Sequence, residues 1–413
     1  MRNIYTGIDI GSDSIKIIVA EAIKDKFYVL ASTSVKSVGV RKGLIVDLDM
    51  AVNSLRLATS EIEKTLGIKI NKAVVTVPSN DRKLTVVDST INTYKEKIDG
   101  NDIVSLLQEA TVNKIEDSEE LVSIIPIMFC IDDNKFTMNP NGLSASKLSV
   151  KALLATAPKK QIFDFLKVFS LANIEVVDIT FNCIGDYYEA KSKETDSVLG
   201  AIINIGHDKM NVSIFNKGIL IKDSIINLGS KNIDKDISYI YGLDINASRE
   251  LKEKFSLSSR RYADINEVLE FSISDNEKMS VNQYEITEIV EARIVELLKL
   301  AKKEINSLTK RKISYIIITG GITELMGFSY VVENILGINS STLNTTTIGI
   351  RNNKFSSAMG VIKYFHDKMK LREKDISLVD EDMIEQIMKN KKSMLELTDD
   401  TIISKIFGYF ANN

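Results

Sequence analysis

Two short segments, half a chain apart, repeat the same pattern of strand, polar turn and strand. They are GIDIGSDSIKIIVA at 7–20 and INIGHDKMNVSIF at 203–215. Their overlay aligns residues 9–11 with residues 204–206. A repeat at this offset indicates two similar halves, each of which opens with a hairpin. Because any two hairpins look alike, the overlay alone leaves coincidence as an alternative.

The elements that follow each hairpin also correspond. Apolar residues recur on one face of a predicted helix at 50–66, and a strand follows at 73–77. In the second half, a longer apolar stripe predicts a helix over 286–308. A strand at 315–319 and a pair of glycines then follow. The pattern predicts an α/β fold class with two duplicated α/β domains around a common cleft.

Composition limits the classes of function. The 413 residues are 44% hydrophobic and carry a net charge of −3, which indicates a globular protein of two to four domains. The slightly acidic balance argues against a broad nucleic-acid-binding surface, so no nucleic acid is expected among the partners. Two cysteines and two histidines are too few for a disulfide framework or a zinc site.

Neither end of the chain carries a predicted membrane span. The N-terminus enters a strand pattern within a few residues, and no uncharged apolar run approaches the ~20 residues that a spanning helix needs. We therefore expect a cytoplasmic protein whose membrane contacts are peripheral.

The last fifteen residues, DDTIISKIFGYFANN, have the pattern of a short amphipathic helix. Such a helix suits the membrane interface, and the alternative is a helix that packs on its own domain. The apolar stripe, and hence the expected membrane-binding set, consists of Ile402, Ile403, Ile406, Phe407 and Phe410.

The polar turns have the residue types of a nucleotide clamp. Backbone N–H groups in tight turns bind anions, and Gly11 and Ser12 would allow phosphate oxygens to approach. Asp9 at the strand end can hold the water shell of Mg²⁺, and Lys16 adds positive charge. Gly320-Gly321 would let an adenosine lie on the backbone. Each motif alone also describes an ordinary turn, and only their order and spacing favour a nucleotide site.

These segments together resemble the actin-like ATPases and, within them, the FtsA family of bacterial cell-division proteins. GIDIGSDSIKIIVAE and INIGHDKMNVSIFNKG are similar to the two phosphate loops, and IIITGGITELMGF is similar to the adenosine motif. Sugar kinases and chaperone ATPases share these loops. The segment NPNGLSASKL, within 124–158, is the more specific pointer, because it resembles the subdomain inserted in the FtsA family.

The resemblance implies a domain organisation for the whole chain. The expected units are a first actin-like domain at 1–81 and 157–196, to which a closing helix at 356–369 returns; an inserted FtsA-type small α+β subdomain at 82–156; a second actin-like domain at 197–355 with an upper subdomain at about 231–308; a charged linker at 370–398; and the amphipathic membrane-targeting helix at 399–413.

The resemblance also implies a function. It implies a division protein that binds ATP and Mg²⁺ between its domains, polymerises into actin-like filaments and tethers FtsZ filaments to the membrane. The expected partners are the FtsZ C-terminal peptide, other copies of the chain, downstream division proteins and the inner leaflet of the cell membrane. The expected place is the cytoplasmic face of that membrane at the division site.

Site residues follow from the same resemblance, position by position. Arg293, on the long predicted helix, would border the base, although a solvated helix arginine is the alternative. The other nucleotide-binding residues implied are Asp9 (also for Mg²⁺ through water), Gly11, Ser12, Lys16, Asn204, Gly206, His207, Gly320 and Gly321.

The second loop departs from the family pattern. Asn204 stands where the family usually has an aspartate, and His207-Asp208 stand where it is rich in glycine. Asp13 and Asp208 bring negative charge near an anionic ligand. We therefore expect a scaffold with at most slow ATPase activity. The alternatives are an actin-like assembly ATPase of a type IV pilus machine and a sugar kinase, for which the sequence offers no convincing catalytic base.

Overall fold

The structure is a computed structural model that describes residues 2–387, apart from residues 79, 94–95 and 275–276. The predicted membrane-binding residues of 399–413 therefore lie outside the described residues. Within the described part of the chain, no helix is long and apolar enough to cross a membrane.

The first domain begins with an antiparallel meander. The tight turn after Ile10 lets the first two strands pair, and Asp9 lies opposite Lys16 in that register. The first helix begins after Asp47, whose carboxylate accepts from the N–H of Met50, and it ends at Gly67 in the left-handed conformation. The elements are β1 (Asn3–Ile10), β2 (Ser14–Ile23), β3 (Lys26–Lys36), β4 (Val40–Arg41), β5 (Leu44–Ile45), α1 (Leu48–Leu66) and β6 (Lys72–Val77).

A separate sheet is inserted after β6. Its elements are β7 (Lys83–Asn92), α2 (Gly100–Glu109), β8 (Glu119–Ile131), β9 (Lys135–Thr137) and β10 (Lys147–Pro158). The strand order is β7-β10-β8-β9. Buried Ile103 and Leu106 of α2 share an apolar cluster with Val150 of β10, so this unit has a core of its own.

The chain then returns to the first sheet through α3 (Lys159–Leu171), β11 (Glu175–Phe181) and α4 (Asn182–Ala190). The completed order is β11-β6-β1-β2-β3, with β1, β6 and β11 parallel to one another. Helix α1 buries one apolar face, including Leu55 and Ile62, in the core of this domain.

The second domain repeats this topology. Its elements are β12 (Leu199–Ile205), β13 (Met210–Asn216), β14 (Ile219–Ile226), α5 (Lys231–Tyr241), α6 (Ile245–Phe255), β15 (Val268–Ser274), β16 (Glu277–Asn282), α7 (Gln283–Leu308), β17 (Tyr315–Thr319), α8 (Phe328–Leu336) and β18 (Ser340–Thr342). The order β18-β17-β12-β13-β14 is that of β11-β6-β1-β2-β3. The predicted duplication is therefore confirmed, since β12 and β13 take the places of β1 and β2.

Two helices of the second half of the chain pack on different domains. Helix α7 buries a continuous stripe, including Val290 and Leu297, in the core of the second domain. The last helix, α9 (Ser356–Leu371), packs on the first domain instead. A Cβ on Gly7 would lie 2.2 Å from the carbonyl oxygen of Ala358, so β1 and α9 approach at van der Waals contact of their backbones.

The residues after α9 differ from the expected linker. We call residues 372–387 the C-terminal strap. Val379 and Ile387 are buried in the core of the first domain. The N–H of Leu378 donates to the carbonyl oxygen of Ile4 at 2.8 Å. These apolar and backbone contacts make the strap part of the folded body, so residues 372–387 do not form the linker expected at 370–398.

Candidate nucleotide cleft

The two hairpin turns face each other across a cleft between the domains. The cavity there has a volume of about 670 Å³, within the range of small-molecule sites. In the first turn the N–H of Gly11 donates to the carbonyl of Ser14 at 3.1 Å. In the second, the N–H of Gly206 donates to the carbonyl of Lys209 at 3.0 Å. Equivalent turns thus lie on the two walls.

The structure brings nine of the ten predicted nucleotide-binding residues into this cleft. They are Asp9, Gly11, Ser12, Lys16, Asn204, Gly206, His207, Gly320 and Gly321. Arg293 lies elsewhere: its Nε donates to Asp236 at 2.6 Å, and its Nη1 pairs with Glu296. It joins α7 to α5, and the structure does not place it beside the cleft.

Asp9 is held by one donor on each oxygen. Thr76 donates to its Oδ1 at 2.8 Å, and Lys16 to its Oδ2 at 3.2 Å. A carboxylate oxygen with a single donor keeps a lone pair, so Asp9 can still accept from a metal-bound water. A direct all-protein cage is not available among the described residues, where no three His, Cys, Asp or Glu side chains cluster as metal ligands.

The rest of the first turn is tied to neighbouring segments. Ser12 Oγ accepts from the N–H of Gly43 at 3.1 Å, in the turn between β4 and β5. The carbonyl of Asp13 accepts from the N–H of Ser37 at 2.8 Å. The turn is therefore fixed in position without a ligand, as a preorganised anion site requires.

Asn204 contacts a buried aspartate that the sequence analysis did not identify. Its Nδ2 donates to Asp186 Oδ2 at 2.7 Å, while Ser356 and Ser357 both donate to Oδ1. Burial raises the pKa of Asp186 to about 6, and the nearby Asp9 adds to the rise, although these hydrogen bonds oppose it. Asp186 links the second loop to the start of α9.

A glycine is required at position 320 because the backbone just before the second turn lies very close to it. The φ of Gly320 is +109°, and a Cβ there would lie 2.3 Å from the carbonyl oxygen of Ile205. A Cβ on Gly321 would lie 3.7 Å from the Cβ of Lys354, an ordinary van der Waals contact, so nothing crowds this position. The first glycine thus lets β17 meet β12, and the second leaves room for a ligand.

A bidentate ion pair spans the cleft. Arg249 of α6 donates through Nη2 to Asp13 Oδ2 at 2.8 Å and through Nη1 to Oδ1. Burial would raise the pKa of Asp13, but the hydrogen bonds and charge of Arg249 outweigh it, and the pKa is lowered. Nδ1 of His207 lies 4.0 Å from Asp13 Oδ1. Burial also lowers the pKa of His207.

The second turn reaches the first domain through two more side chains. Asp208 Oδ2 accepts from the N–H of Lys42 at 3.2 Å, and Lys231 lies 3.7 Å from its other oxygen. Lys209 donates to Asn80 Oδ1, and burial lowers the pKa of Lys209 to about 8. Lys209 therefore supports the contact between domains, and Arg249 is the residue that offsets the charge of Asp13.

Other cleft residues carried no signal in the sequence. Arg249 and Lys252 of α6 and Lys354 before α9 lie in segments that read as solvated helix or loop. Lys252 pairs with buried Asp234 at 2.6 Å. These segments come close to the hairpins only in the folded chain. The amino-acid sequence alone does not reveal that proximity.

Family comparisons agree with this architecture. Residues 201–360 match the family model described as "Cell division protein FtsA", which covers most of the second domain. Residues 81–156 match the model described as "SHS2 domain inserted in FTSA", which covers the inserted sheet. The two models match different parts of the chain, and both describe the same family.

Curated relatives extend the match to most of the chain. The chain is 27% identical over 369 residues to the cell division protein FtsA of Bacillus subtilis, covering 88% of this chain and 83% of the relative. It is 25% identical over 365 residues to the protein of that name from Enterococcus hirae, covering 87% and 82%.

Solved structures show the fold. A type IV pilus biogenesis complex of PilM and PilN superposes with a TM-score of 0.58 at 13% identity, covering 90% of this chain and 99% of that chain. MreB5 of Spiroplasma citri bound to ADP gives 0.55 at 10% identity, covering 90% and 99%. A MamK double helical filament gives 0.51 at 12%, covering 88% and 99%.

The predicted actin-like architecture is thus confirmed, with two duplicated domains around a cleft and an inserted subdomain. Both family models and the curated relatives carry the same family description along this chain. The chain belongs to the FtsA family of actin-like cell-division proteins.

Proposed function

We propose that the interdomain cleft binds ATP with Mg²⁺. The observation that carries this proposal is the pair of hairpin turns facing each other across one cavity, which Gly320 and Gly321 also line. Turn N–H groups would hold phosphate oxygens, and Asp9 would hold Mg²⁺ through water. The glycine pair would carry adenosine. A relative of the same fold is described as bound to ADP.

Hydrolysis is proposed to be slow. In the second turn, Asn204 offers an amide where a carboxylate could polarise water, and its Nδ2 already donates to Asp186. Asp186 is buried and accepts three hydrogen bonds, so it is poorly placed as a base. Nucleotide would then act mainly as a wedge that sets domain closure, and the chain would work as a scaffold.

The scaffold is proposed to form filaments and to tether FtsZ polymers to the membrane. Family membership supports a role in division, and the likeness to a filament-forming protein of the same fold supports polymerisation. The FtsZ C-terminal peptide is assigned to the upper subdomain at about 231–308. The place of action is the cytoplasmic face of the membrane at the division site, where the scaffold recruits downstream division proteins.

The tail at 399–413 is proposed as the membrane anchor. Full burial of an apolar side chain is worth roughly 1.5–3 kcal/mol. Interfacial burial is only partial, and ordering a short helix costs entropy. One copy should therefore bind weakly, whereas a filament that presents many copies gains avidity without new contacts.

The pilus alternative has weaker support. It rests on the likeness to PilM at 13% identity, which concerns the fold alone. The match of residues 81–156 to the inserted FtsA subdomain favours the division protein.

Co-sedimentation with vesicles tests the proposal. The full chain would be spun with vesicles of phosphatidylglycerol and phosphatidylethanolamine and an FtsZ C-terminal peptide, with and without ATP. We expect the chain to pellet with the vesicles, to carry the peptide with it, and to pellet more with ATP.

A chain that lacks residues 399–413 should remain in the supernatant. Phe407→Asp should act like the deletion, because Phe407 lies on the apolar stripe. The matched control is Gly408→Asp, which adds the same charge off the stripe and should pellet more than Phe407→Asp. Unchanged sedimentation of the deleted chain would refute the anchor, and a peptide left in the supernatant would refute FtsZ binding.

A further inference from the structure

Asp13 places a carboxylate inside the proposed phosphate pocket. It lies in the first turn and lines the cleft with its side chain 19% exposed. Its backbone carbonyl accepts a hydrogen bond from the N–H of Ser37, which holds the backbone of Asp13, and hence its side chain, in this position. A fixed, largely desolvated negative charge therefore stands where an anionic ligand is expected.

Arg249 is committed to this carboxylate. Both terminal nitrogens of its guanidinium donate to Asp13, and its Nε donates to Glu253 at 2.8 Å on the same helix. A bidentate pair is among the stronger hydrogen-bonded contacts, and the bond to Glu253 fixes its direction. The guanidinium of Arg249 is thus already paired with carboxylates of the protein.

The second turn closes around the same point. His207 at its tip has Nδ1 4.0 Å from Asp13 Oδ1. Burial lowers the pKa of His207, so the ring supplies less compensating charge than an exposed histidine would. The Asp13 carboxylate of the first turn therefore lies close both to the tip of the second turn and to the guanidinium of Arg249.

Few cations remain for a ligand. Lys16 pairs with Asp9, and Lys252 pairs with Asp234. Lys36 and Lys354 also line the cleft, and neither is within ion-pair distance of a carboxylate in the part of the chain that the structure describes. Across the whole cleft lining, six Lys or Arg side chains face five Asp or Glu side chains, which leaves a small positive surplus.

We propose that the Asp13–Arg249 pair biases the cleft toward nucleoside diphosphates over triphosphates, because the carboxylate takes the place at which a terminal phosphate would meet the guanidinium. The inference rests on the proposed nucleotide-binding function. A diphosphate leaves the pair intact. A triphosphate adds a negative charge and must either displace Asp13 or lie beside it, so its affinity is reduced selectively.

Calorimetric titration of the full chain tests this inference. ADP and the slowly hydrolysed analogue AMP-PNP would each be titrated with Mg²⁺ into wild type and Asp13→Asn, which removes the charge and keeps the side-chain size. We expect wild type to bind ADP at least as tightly as AMP-PNP. Asp13→Asn should gain about tenfold in affinity for AMP-PNP, or 1.4 kcal/mol, and less than about threefold for ADP.

Glu324→Gln is the matched control. Glu324 lines the cleft near Gly321 and accepts from the N–H of Asn353 at 2.9 Å, which a glutamine oxygen can also do. It removes the same charge beside the glycine pair proposed to carry adenosine, so it should change both affinities alike. Asp13→Ser is a second variant that should shift selectivity in the same direction as Asp13→Asn, and it serves if the asparagine chain fails to fold.

The outcomes separate the two proposals. If wild type binds nucleotide and both Asp13 variants change the two affinities equally, or weaken AMP-PNP, the selectivity inference is overturned and nucleotide binding stands. If neither wild type nor the variants bind either nucleotide while their melting transitions are retained, the proposed nucleotide site falls and the inference falls with it.

Discussion

The side-chain amide of Asn204 donates a hydrogen bond to the buried carboxylate of Asp186 across 2.7 Å. The two residues belong to different domains, and the contact joins the second turn to α4. The amide is the donor in this contact, so an aspartate at 204 would bring two carboxylates together. One of them would then have to hold a proton.

We predict that Asn204→Asp destabilises the chain by about 1–3 kcal/mol at pH 8 and by less at pH 5.5, where the shared proton is available. Urea denaturation at the two pH values measures the effect. The control is the exchanged pair Asn204→Asp with Asp186→Asn, which restores one amide and one carboxylate. It should recover most of the loss, and an exchanged pair no more stable than Asn204→Asp would contradict the role assigned to this contact.

ATP turnover by wild type should be far below the about 1–10³ s⁻¹ typical of enzymes, because the second turn offers an amide in place of a carboxylate. Phosphate release would be measured for wild type and for Asn204→Asp at matched nucleotide saturation. A chain with Gly320→Ala sets the background for contaminating activity. Brisk wild-type turnover above that background would contradict the assignment of a scaffold.

The pH dependence of stability should contain a contribution from Asp186. Burial raises its pKa from 3.8 to about 6, so the native state binds more protons than the unfolded state between these values. Stability from this group is therefore present below pH 4 and is lost as pH rises through 6, by up to about 3 kcal/mol.

Asp186→Asn lacks this titration. The stability advantage of wild type over Asp186→Asn should therefore shrink as pH rises from 4.5 to 7.5. Denaturation midpoints across that range give the comparison. Two curves that run parallel would show that Asp186 keeps its ordinary pKa.

Adjacent glycines should respond differently to one methyl group. Gly320→Ala should cost about 1–3 kcal/mol and weaken nucleotide binding, because of its positive φ and the nearby Ile205 carbonyl. Gly321→Ala should be tolerated in stability, since its Cβ would meet Lys354 at an ordinary contact distance of 3.7 Å. Thermal melting with nucleotide titration compares them. Equal losses in the two variants would rule out the close approach of β17 to β12 as the cause.

The sequence predicted the parts of the site that are local. Each hairpin turn follows its strand directly, so the glycine and the polar residues at 9–12 and 204–207 could be recognised from spacing. Gly320 was recognised as part of a motif, whereas its steric reason depends on Ile205, which is remote in the chain. Local sequence patterns thus predict which positions belong to the site, but they do not predict the residues that these positions contact.

The residues that were missed act over long separations. Asp186 looks like any acidic residue of a short helix, and Arg249 like a surface arginine of α6. Their roles arise when α4 and α6 meet the turns, which one sequence cannot show. Arg293 is a suitable residue type on a suitable helix, but it pairs with Asp236 and is not among the residues that line the cleft.

The many charged residues of the C-terminal strap predict a linker, whereas the structure shows a packed segment. Three of its six apolar residues, Leu378, Val379 and Ile387, are buried. Charged neighbours such as Asp380 lie at the surface, where Asp380 meets Lys72 at 3.7 Å. Mixed composition therefore concealed a packed segment.

The strap also determines how a mechanical force would enter the molecule. Gln386 donates to the carbonyl of Gly67 at the end of α1, next to buried Ile387. A pull on the chain beyond Ile387 would act on α1 and β1 of the first domain. Tension at this end would therefore be carried first by the first domain, through these two contacts.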